Sequence, residues 1–252
     1  MMKQHSQLLG DKWDTYENIL LDDIDTEIEE YPIYFMKPLH GFQDGGLCRY
    51  QAIYQSPSMR YIMRMFQGNP FYREEVMTNK LNSIKHELQS ESLVIDLGCG
   101  TGDSTWIVHE VLNTSSVIGI DLSPYMIEIA NLQYDLNFMH ANAARLPFKN
   151  NSVDVITSFA LFHEMPYRYS LCVLKECDRV LKHGGHICLW DQKITTESAF
   201  TQECKAVPSI EPYLNSYSRL NISKWLHSNN YKNIEQTSNR LMQEWYAKKL
   251  NF

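Results

Sequence analysis

Three glycines at alternate positions follow an apolar run and form the most informative pattern in the sequence. Leu93–Leu97 predicts a buried strand and Asp103–Leu112 predicts a helix, and between them stand Gly98, Gly100 and Gly102. Glycine permits positive φ angles and lets a ligand approach the backbone closely. The N–H groups at the beginning of the helix would face that ligand. The spacing predicts a ligand-binding loop, although the glycines could also form only a strand-to-helix turn.

An acid ends the next predicted strand. Asp121 closes the run Val117–Asp121 and stands 19 residues after Gly102. In doubly wound α/β sheets an acid at this place accepts hydrogen bonds from the two hydroxyls of a ribose. We therefore expect Asp121 to bind a ribose beside the glycine loop.

The loop distinguishes two classes of nucleotide site. The dinucleotide fingerprint G-x-G-x-x-G requires a third glycine at position 103, where this chain has Asp103. The pattern is instead D-x-G-x-G-x-G from Asp96 to Gly102. It resembles the first motif of the class I S-adenosylmethionine-dependent methyltransferases, and Gly119–Ser123 is similar to their second. An NAD-dependent oxidoreductase is an alternative against which Asp103 argues.

Two later stretches, Ala141–Phe148 and Asn151–Glu164, are also similar to that family. The first resembles the acid-Ala segment beside the adenine, with Asn142 in place of the acid. An amide can still accept from the adenine amino group and donate to a ring nitrogen. The second resembles the fourth strand with its trailing His-Glu. The resemblance implies S-adenosylmethionine as the cofactor, S-adenosylhomocysteine as its product, and a binding set of Asp96, Gly98, Cys99, Gly100, Gly102, Asp121, Leu122, Met126, Asn142, Ala143 and Phe159.

The sequence indicates the residues that would bind the methyl acceptor less specifically than those that would bind the cofactor. In-line methyl transfer depends mainly on alignment, and a general base is needed only when the acceptor carries a proton near its working pKa. His163 and His40 are candidates for that base, although the sequence favours a buried or helix-capping histidine at each position. The predicted acceptor pocket comprises Tyr31, Tyr34, His40, Phe42 and Glu164. The cysteines and histidines lack metal-ligand spacing, so no metal site is predicted.

Strands and helices alternate regularly after residue 93. Further strands are predicted at Asn137–His140, Val153–Ser158, Gly185–Trp190 and Asn233–Thr237, with a closing edge strand at Leu241–Lys249. Helices are predicted at Pro124–Leu132, Tyr167–Leu181 and Arg219–Ser228, and Gly184 and Gly185 are expected to end the second of these. The alternation indicates a three-layer, Rossmann-like, doubly wound α/β fold with a mostly parallel sheet and helices on both faces.

The region before this core is rich in aromatic residues. Residues 31–72 hold ten of the chain's thirty aromatic residues, around a turn-rich piece at Pro38–Gly46. We predict an N-terminal helical cap or lid over residues 1–88, including a helix at Trp13–Leu21, and a core over residues 89–252. The same aromatic residues could instead be the apolar face of helices packed on the sheet edge. Residues 191–217 lack a clear period and predict an insertion near the acceptor site, or else a plain surface excursion.

The composition and charge of the chain limit the kinds of partner that it is expected to bind. The chain has 252 residues, 44% hydrophobic and 21% charged, with a net charge of −7 and an acidic run at residues 22–30. This balance argues against a nucleic-acid substrate. No apolar run approaches the roughly 18 residues of a membrane span, and Met1–Trp13 lacks a secretion signal. Six scattered cysteines fit a reducing compartment, so a cytoplasmic protein is expected. The oligomeric state is left open.

These observations favour a methyltransferase that acts on a small organic acceptor. A cofactor-binding but non-catalytic partner subunit of the same fold is the alternative. An open, aromatic-lined cavity beside Phe159 and His40 would favour the enzyme, and a plugged cavity would favour the partner.

Overall fold

The structure is a computed structural model that describes residues 31–39, 44–114, 116–193, 212–239 and 242–250. The predicted helix at Trp13–Leu21, the site residues His40 and Phe42, and residues 194–211 of the predicted insertion lie outside these ranges. Among the described residues, no helix has both the length and the apolar composition that crossing a membrane requires.

Within the described residues, seven strands form one sheet in the order β3-β2-β1-β4-β5-β7-β6. The strands are β1 (Leu93–Leu97), β2 (Ser116–Asp121), β3 (Asn137–His140), β4 (Val153–Phe159), β5 (Leu181–Gln192), β6 (Tyr231–Ser238) and β7 (Met242–Lys249). Strands β1 to β5 pair in parallel, and β7 runs antiparallel to both β5 and β6. Because the order reverses at β1, the sheet is doubly wound, and the fold prediction is confirmed.

Helices cover both faces of this sheet. They are α1 (Arg49–Gln67), α2 (Tyr72–Ile84), α3 (Asp103–Leu112), α4 (Pro124–Gln133), α5 (Tyr167–Val180), α6 (Leu214–Tyr217) and α7 (Ile222–Ser228), with 3₁₀ turns at Gly45–Leu47, Lys85–Glu87 and Phe162–Glu164. The alternation of strand side chains produces two cores. Ile95 and Leu97 of β1 pack with α5 and α7, whereas Val94 packs on the opposite face with α2 and α3. These are the three predicted layers.

The two N-terminal helices occupy different places. Met77 and Leu81 of α2 are fully buried in the core that α3 also contributes to, so α2 covers the sheet directly. Helix α1 instead crosses α4, where Ala52 and Ile53 pack on Met126. The division of the chain into a cap and a core stays a prediction.

The prediction of an edge strand at the tail is wrong. Strand β7 lies between β5 and β6, and β6 forms the edge of the sheet. The physical reason is burial: Trp245 and Ala247 of β7 belong to the hydrophobic core, whereas most of β6 after Tyr231 is exposed.

The predicted end of the helix before β5 is also wrong. Helix α5 already ends at Val180, and Gly184 and Gly185 lie inside β5 rather than between helix and strand. The pairing of β5 with β4 shifts register there, and Gly184 has a φ of +79°. A Cβ on Gly185 would lie 2.9 Å from the carbonyl oxygen of Asp154. The glycines therefore permit a bulge against the neighbouring strand.

Candidate functional site

A cavity lies at the carboxyl ends of β1, β2 and β4, where the order of the sheet reverses. The empty space that it borders, including open solvent at its mouth, is about 1110 Å³. Its wall contains eleven of the predicted site residues: Tyr34, Gly98, Cys99, Gly100, Asp121, Leu122, Met126, Asn142, Ala143, Phe159 and Glu164. This is the position at which doubly wound sheets bind ligands.

The three glycines of the loop share positive φ angles but differ in the atoms that surround them. Gly98, Gly100 and Gly102 all have positive φ angles, of 68°, 53° and 90°. A Cβ on Gly98 would lie 2.8 Å from Leu161, and one on Gly102 would lie 2.7 Å from Phe138. A Cβ on Gly100 would lie 3.7 Å from Cγ of Gln55, an ordinary contact distance, and Gly100 lines the cavity.

Asp121 is held by the backbone of this loop. Its carboxylate accepts N–H bonds from Gly100 and Ser123, both at 2.8 Å. Burial, assisted by the nearby Glu164, raises the pKa of Asp121 to about 6, although these backbone bonds act in the opposite direction. Each carboxylate oxygen retains lone-pair capacity, so Asp121 can still accept from ribose hydroxyls.

Asp96 and Gly102 lie outside the cavity wall. Asp96 is fully buried and accepts hydroxyl bonds from Ser104 at 2.6 Å, and from Thr105 and Thr157 at 2.8 Å. Burial raises the pKa of Asp96 in spite of these bonds. These hydrogen bonds connect Asp96 of β1 with α3 and β4, so Asp96 stabilises the segments on either side of the glycine loop. Its assignment as a cofactor ligand stays a prediction.

Asp103 is the centre of a buried network that the sequence analysis missed. It pairs with Arg73 of α2 at 2.9 Å and accepts hydroxyl bonds from Ser56 of α1 and from Tyr134. Ser56 also lies 2.9 Å from the hydroxyl of Thr101. Burial opposes the ionisation of Asp103, but Arg73 and the hydroxyl donors outweigh it and hold the pKa below its ordinary value. No local pattern could have revealed contacts between residues so far apart in sequence.

Asn142 lies on the cavity wall, with its side chain in two contacts. Its amide donates to the hydroxyl of Tyr169 at 2.8 Å, and its carbonyl accepts from the backbone of Ala144 at 2.8 Å. This is the geometry of a turn residue, with one carbonyl lone pair left for a ligand. Its predicted role beside an adenine stays a prediction.

Another part of the cavity wall is formed by two tyrosines with a carboxylate beside them. Tyr34 packs on Tyr169 with ring centroids 4.5 Å apart, and burial raises the pKa of Tyr34 well above its ordinary value. Glu164 shares this wall with them. The predicted pocket residue Tyr31 lies outside the wall, and its hydroxyl is 3.2 Å from Nε2 of His140.

His163 is buried next to the cavity wall rather than in it. Its Nδ1 lies 2.6 Å from Oδ1 of Asp191, and the residue is 7% exposed. Asp191 also accepts the backbone N–H groups of Phe162 and Gln192 at 2.6 Å, so it fixes the turn that carries His163 and Glu164. The sequence analysis missed Asp191, although an acid at the end of a buried strand is the signal that identified Asp121. The role of His163 as a base stays a prediction.

No cluster of His, Cys, Asp or Glu within the described ranges could hold a metal ion.

The sequence of this region matches a known family. Residues 94–185 match a family model described as a methyltransferase domain. Residues 94–185 therefore resemble the domain of class I methyltransferases. The predicted resemblance is thereby confirmed. The matched segment begins in β1 and ends in the bulge of β5, so it includes the glycine loop, Asp121 and Asn142.

Curated relatives align with this domain and its surroundings. Demethylmenaquinone methyltransferase of Lactococcus lactis is 41% identical over 37% of this chain and 39% of its own. The protein of the same name in Staphylococcus saprophyticus is 32% identical over 54% of this chain and 58% of its own. The chain therefore spans about half the length of these relatives.

Solved structures share the fold. Magnesium protoporphyrin IX methyltransferase of Synechocystis PCC 6803, determined with bound S-adenosylhomocysteine, superposes with a TM-score of 0.59 at 16% identity. The superposition covers 80% of this chain and 92% of that one.

The residues of the cavity fit an adenosyl cofactor. Gly100 lines the cavity without a side chain, and Asp121 presents a buried carboxylate beside it. The wall also contains polar atoms that make no hydrogen bond to the described residues, among them Oε1 of Gln51 and Oγ of Ser123. A polar, elongated ligand would satisfy them.

Proposed function

We propose that the chain binds S-adenosylmethionine in this cavity and transfers its methyl group to a small organic acceptor. The observation that carries the proposal is the glycine loop bonded to Asp121 beneath an open cavity. Asp121 would accept from the ribose hydroxyls, and Leu122, Met126 and Ala143 would contact the adenine. When bound, the cofactor supplies an electrophilic methyl carbon on a sulfonium, a leaving group that needs no further activation.

The contribution of the protein is mainly alignment. Holding the acceptor in line with the methyl group lowers the barrier by about 7–11 kcal/mol in well-oriented systems. The wall near Tyr34, Leu161 and Met165 is apolar, so it would orient an acceptor with an apolar or aromatic ring and exclude water from it. Glu164 is the carboxylate on this side that could hold a proton released by the acceptor.

The shape and charge of the site support a small organic molecule as the acceptor. The curated relatives carry the name demethylmenaquinone methyltransferase, which places a ring-bearing acceptor among the candidates to be tested. Within the described part of the chain, Arg73 is the one cation on the cavity wall, and it is paired with Asp103. A polyanionic acceptor such as a nucleic acid does not suit such a wall.

A cytoplasmic location is also part of the proposal. Cys48, Cys99, Cys172, Cys177 and Cys188 are all free thiols. This usage is typical of proteins in a reducing compartment.

Calorimetric titration with S-adenosylmethionine, S-adenosylhomocysteine and NAD is the first test. We expect the two adenosyl ligands to bind and NAD not to bind. Transfer of a labelled methyl group to phenol, quinol and amine acceptors, with reduced demethylmenaquinone in the panel, then tests the activity. Binding without transfer to any acceptor would favour the non-catalytic partner subunit, and NAD binding alone would contradict both.

A further inference from the structure

Helix α1 exposes an apolar surface on the side that faces away from the cavity. Six of the eight large apolar side chains that the described chain exposes lie between residues 50 and 71. Four of them belong to the end of α1 or follow it: Tyr61, Ile62, Met65 and Phe71, which are 65%, 38%, 59% and 45% exposed. Exposed apolar side chains scattered singly need no explanation, but a group of them marks a surface that binds a partner.

Helical spacing gives α1 two different sides. Tyr61 and Met65 are four residues apart and share one side, whereas Met59 and Met63 lie on the opposite side. Met63 is buried in the core to which α2 and α3 also contribute, and Met59 lines the cavity. The inner side of α1 therefore closes the cavity, and the outer side is left for a partner.

Two arginines border the exposed apolar side chains. Arg60 and Arg64 are also one helical turn apart, and the guanidinium carbon of Arg60 lies 5.9 Å from the centroid of the Phe71 ring. Neither arginine forms an ion pair with a carboxylate of the described residues. We call the following set the basic-apolar face: Arg60, Tyr61, Ile62, Arg64, Met65 and Phe71.

The charge of this region is opposite to that of the chain. Residues 45–72 contain three arginines and no Asp or Glu, so all thirty acidic residues of the chain lie elsewhere. The net charge of the whole chain is −7. An anionic surface therefore attracts the basic-apolar face and repels most of the remaining chain, which orients the protein on that surface.

An anionic bilayer suits both the apolar and the basic side chains of this face. Amphipathic helices bind in the plane of a bilayer, with apolar side chains at the boundary of the acyl chains and cations among the headgroups. Tyrosine is enriched at the same depth. A second copy of the chain suits the face less well, because a two-fold dimer would bring Arg60 and Arg64 toward the same residues of the other copy.

We propose that the basic-apolar face binds the protein to the surface of an anionic membrane. Its four apolar side chains enter the region between headgroups and acyl chains, and the guanidinium groups of Arg60 and Arg64 bind lipid phosphates. The axis of α1 lies parallel to the bilayer, so the protein is bound peripherally. Because Met59 of the same helix lines the cavity, the cavity lies one helix diameter, about 10 Å, from the lipid.

Vesicle sedimentation of the full chain tests the proposal. The measurement is made without S-adenosylmethionine, so its outcome is independent of the proposed function. The probes are phosphatidylcholine vesicles with and without phosphatidylglycerol. We expect binding to the mixed vesicles, weaker binding to phosphatidylcholine alone, and a loss of affinity for the mixed vesicles as the salt concentration is raised.

Two variants separate the apolar from the basic contribution. Tyr61→Ser combined with Met65→Ser should weaken binding to the mixed vesicles by about tenfold, because two apolar side chains no longer leave water. Arg64→Gln should weaken it by about fivefold, since one cation near an anionic surface contributes about that factor. Arg64→Gln should leave binding to phosphatidylcholine alone unchanged. Thermal unfolding identifies any variant that fails to fold.

Each variant has a matched control. Ile33→Ser removes an apolar side chain that is 74% exposed but lies outside the basic-apolar face. Lys175→Gln removes an exposed cation of α5, which packs on the face of the sheet opposite to the core that contains Met63. Both controls should bind the mixed vesicles as the unchanged chain does.

Losses confined to the two variants of the basic-apolar face support the proposal. Absence of binding to both kinds of vesicle overturns it, and so does binding that survives both variants. A loss in Arg64→Gln alone would indicate attraction to any polyanion and would also overturn it. Analytical ultracentrifugation without vesicles tests the remaining occupant: self-association that Tyr61→Ser with Met65→Ser abolishes would show that a second copy covers this face instead of a membrane.

Discussion

Arg73 and Asp103 form a buried ion pair in which Nη2 and Oδ2 are 2.9 Å apart. Ser56 and Tyr134 donate to the same carboxylate, so Asp103 connects α1 and α2 with the beginning of α3. Asp103 directly follows the glycine loop. The position of that loop therefore depends on helices that precede the matched methyltransferase segment.

Asp103→Asn should destabilise the fold by about 3–5 kcal/mol, because it leaves Arg73 as a buried cation without a charged partner. Urea unfolding measures the loss. The exposed pair Lys80–Glu235, at 2.7 Å, provides the control, and Glu235→Gln should cost less than about 1 kcal/mol. Similar small losses in both variants would contradict a structural role for the buried pair.

The ion pair also predicts how the stability of the folded chain changes with pH. The pKa of Asp103 lies below its ordinary value in the folded chain. The stability that this carboxylate contributes is therefore present above its ordinary pKa and is lost as the pH falls through the folded value. Urea unfolding should show a smaller loss of stability on acidification in Asp103→Asn than in the unchanged chain.

Gly100→Ala should weaken the binding of S-adenosylhomocysteine at a modest cost in stability. An alanine at a φ of 53° is strained by about 1–2 kcal/mol, and its methyl group would occupy space into which a ligand must come. Gly68→Ala is the matched control, since Gly68 has a φ of 71° and open space around it, outside the cavity wall. Both variants should lose similar stability, and only the first should lose affinity. Equal affinity in the two variants would separate the loop from ligand binding.

The affinity for S-adenosylhomocysteine should fall as the pH drops through about 6. The pKa of Asp121 is raised to about 6, and a protonated carboxyl is a weaker acceptor for ribose hydroxyls than a carboxylate. Asp121→Ala should weaken binding by about 1–3 kcal/mol and remove most of the pH dependence. Titrations at pH 5 and pH 8 test this, and an equal affinity at the two pH values would contradict it.

Asp121 gives the stability of the ligand-free fold the opposite pH dependence. Because the folded pKa of Asp121 is raised, its contribution to stability is present below the ordinary pKa and is lost as the pH rises through about 6. Glu164 is one cause of the raised pKa, so Glu164→Gln should move the midpoint of binding to lower pH. Unchanged midpoints would show that the two carboxylates do not interact.

His163→Ala should lower methyl transfer while the affinity for S-adenosylhomocysteine stays the same. His163 lies outside the cavity wall, but it pairs with Asp191, which fixes the turn bearing Glu164. A double-mutant cycle with Asp191→Asn should give a coupling in the free energy of unfolding of about 1.5–3 kcal/mol, as expected for a hydrogen bond to a charged group. A pH–rate profile that loses one limb in His163→Ala would indicate a base, and an unchanged shape would indicate a positioning role.

Local patterns predicted most of the sheet and the ligand loop. The strand at Leu93–Leu97, the helix at Asp103–Leu112 and the acid at Asp121 are encoded within a few residues of sequence, so their type and place could be inferred. The pairing of β7 could not. An alternating run indicates a strand but carries no information about which neighbours it will have.

The site was predictable only where its residues belong to such local patterns. Contacts between Ser56 and Asp103, or between His163 and Asp191, join residues 47 and 28 positions apart, and no spacing rule links them. Asn142 was identified by resemblance, but its bonds to Tyr169 and Ala144 depend on where α5 lies. Sequence alone therefore predicted the glycine loop and Asp121 better than the rest of the cavity wall.

The place of β7 has a consequence for synthesis on the ribosome. Strand β6 leaves the ribosome before β7, yet β7 is its one neighbour among the described strands. Until β7 emerges, the nascent sheet ends at β5, and the unpaired backbone groups of β5 are open to association with other chains. The addition of β7 and β6 as an antiparallel hairpin closes that edge, so release of a folded chain must await translation of the hairpin.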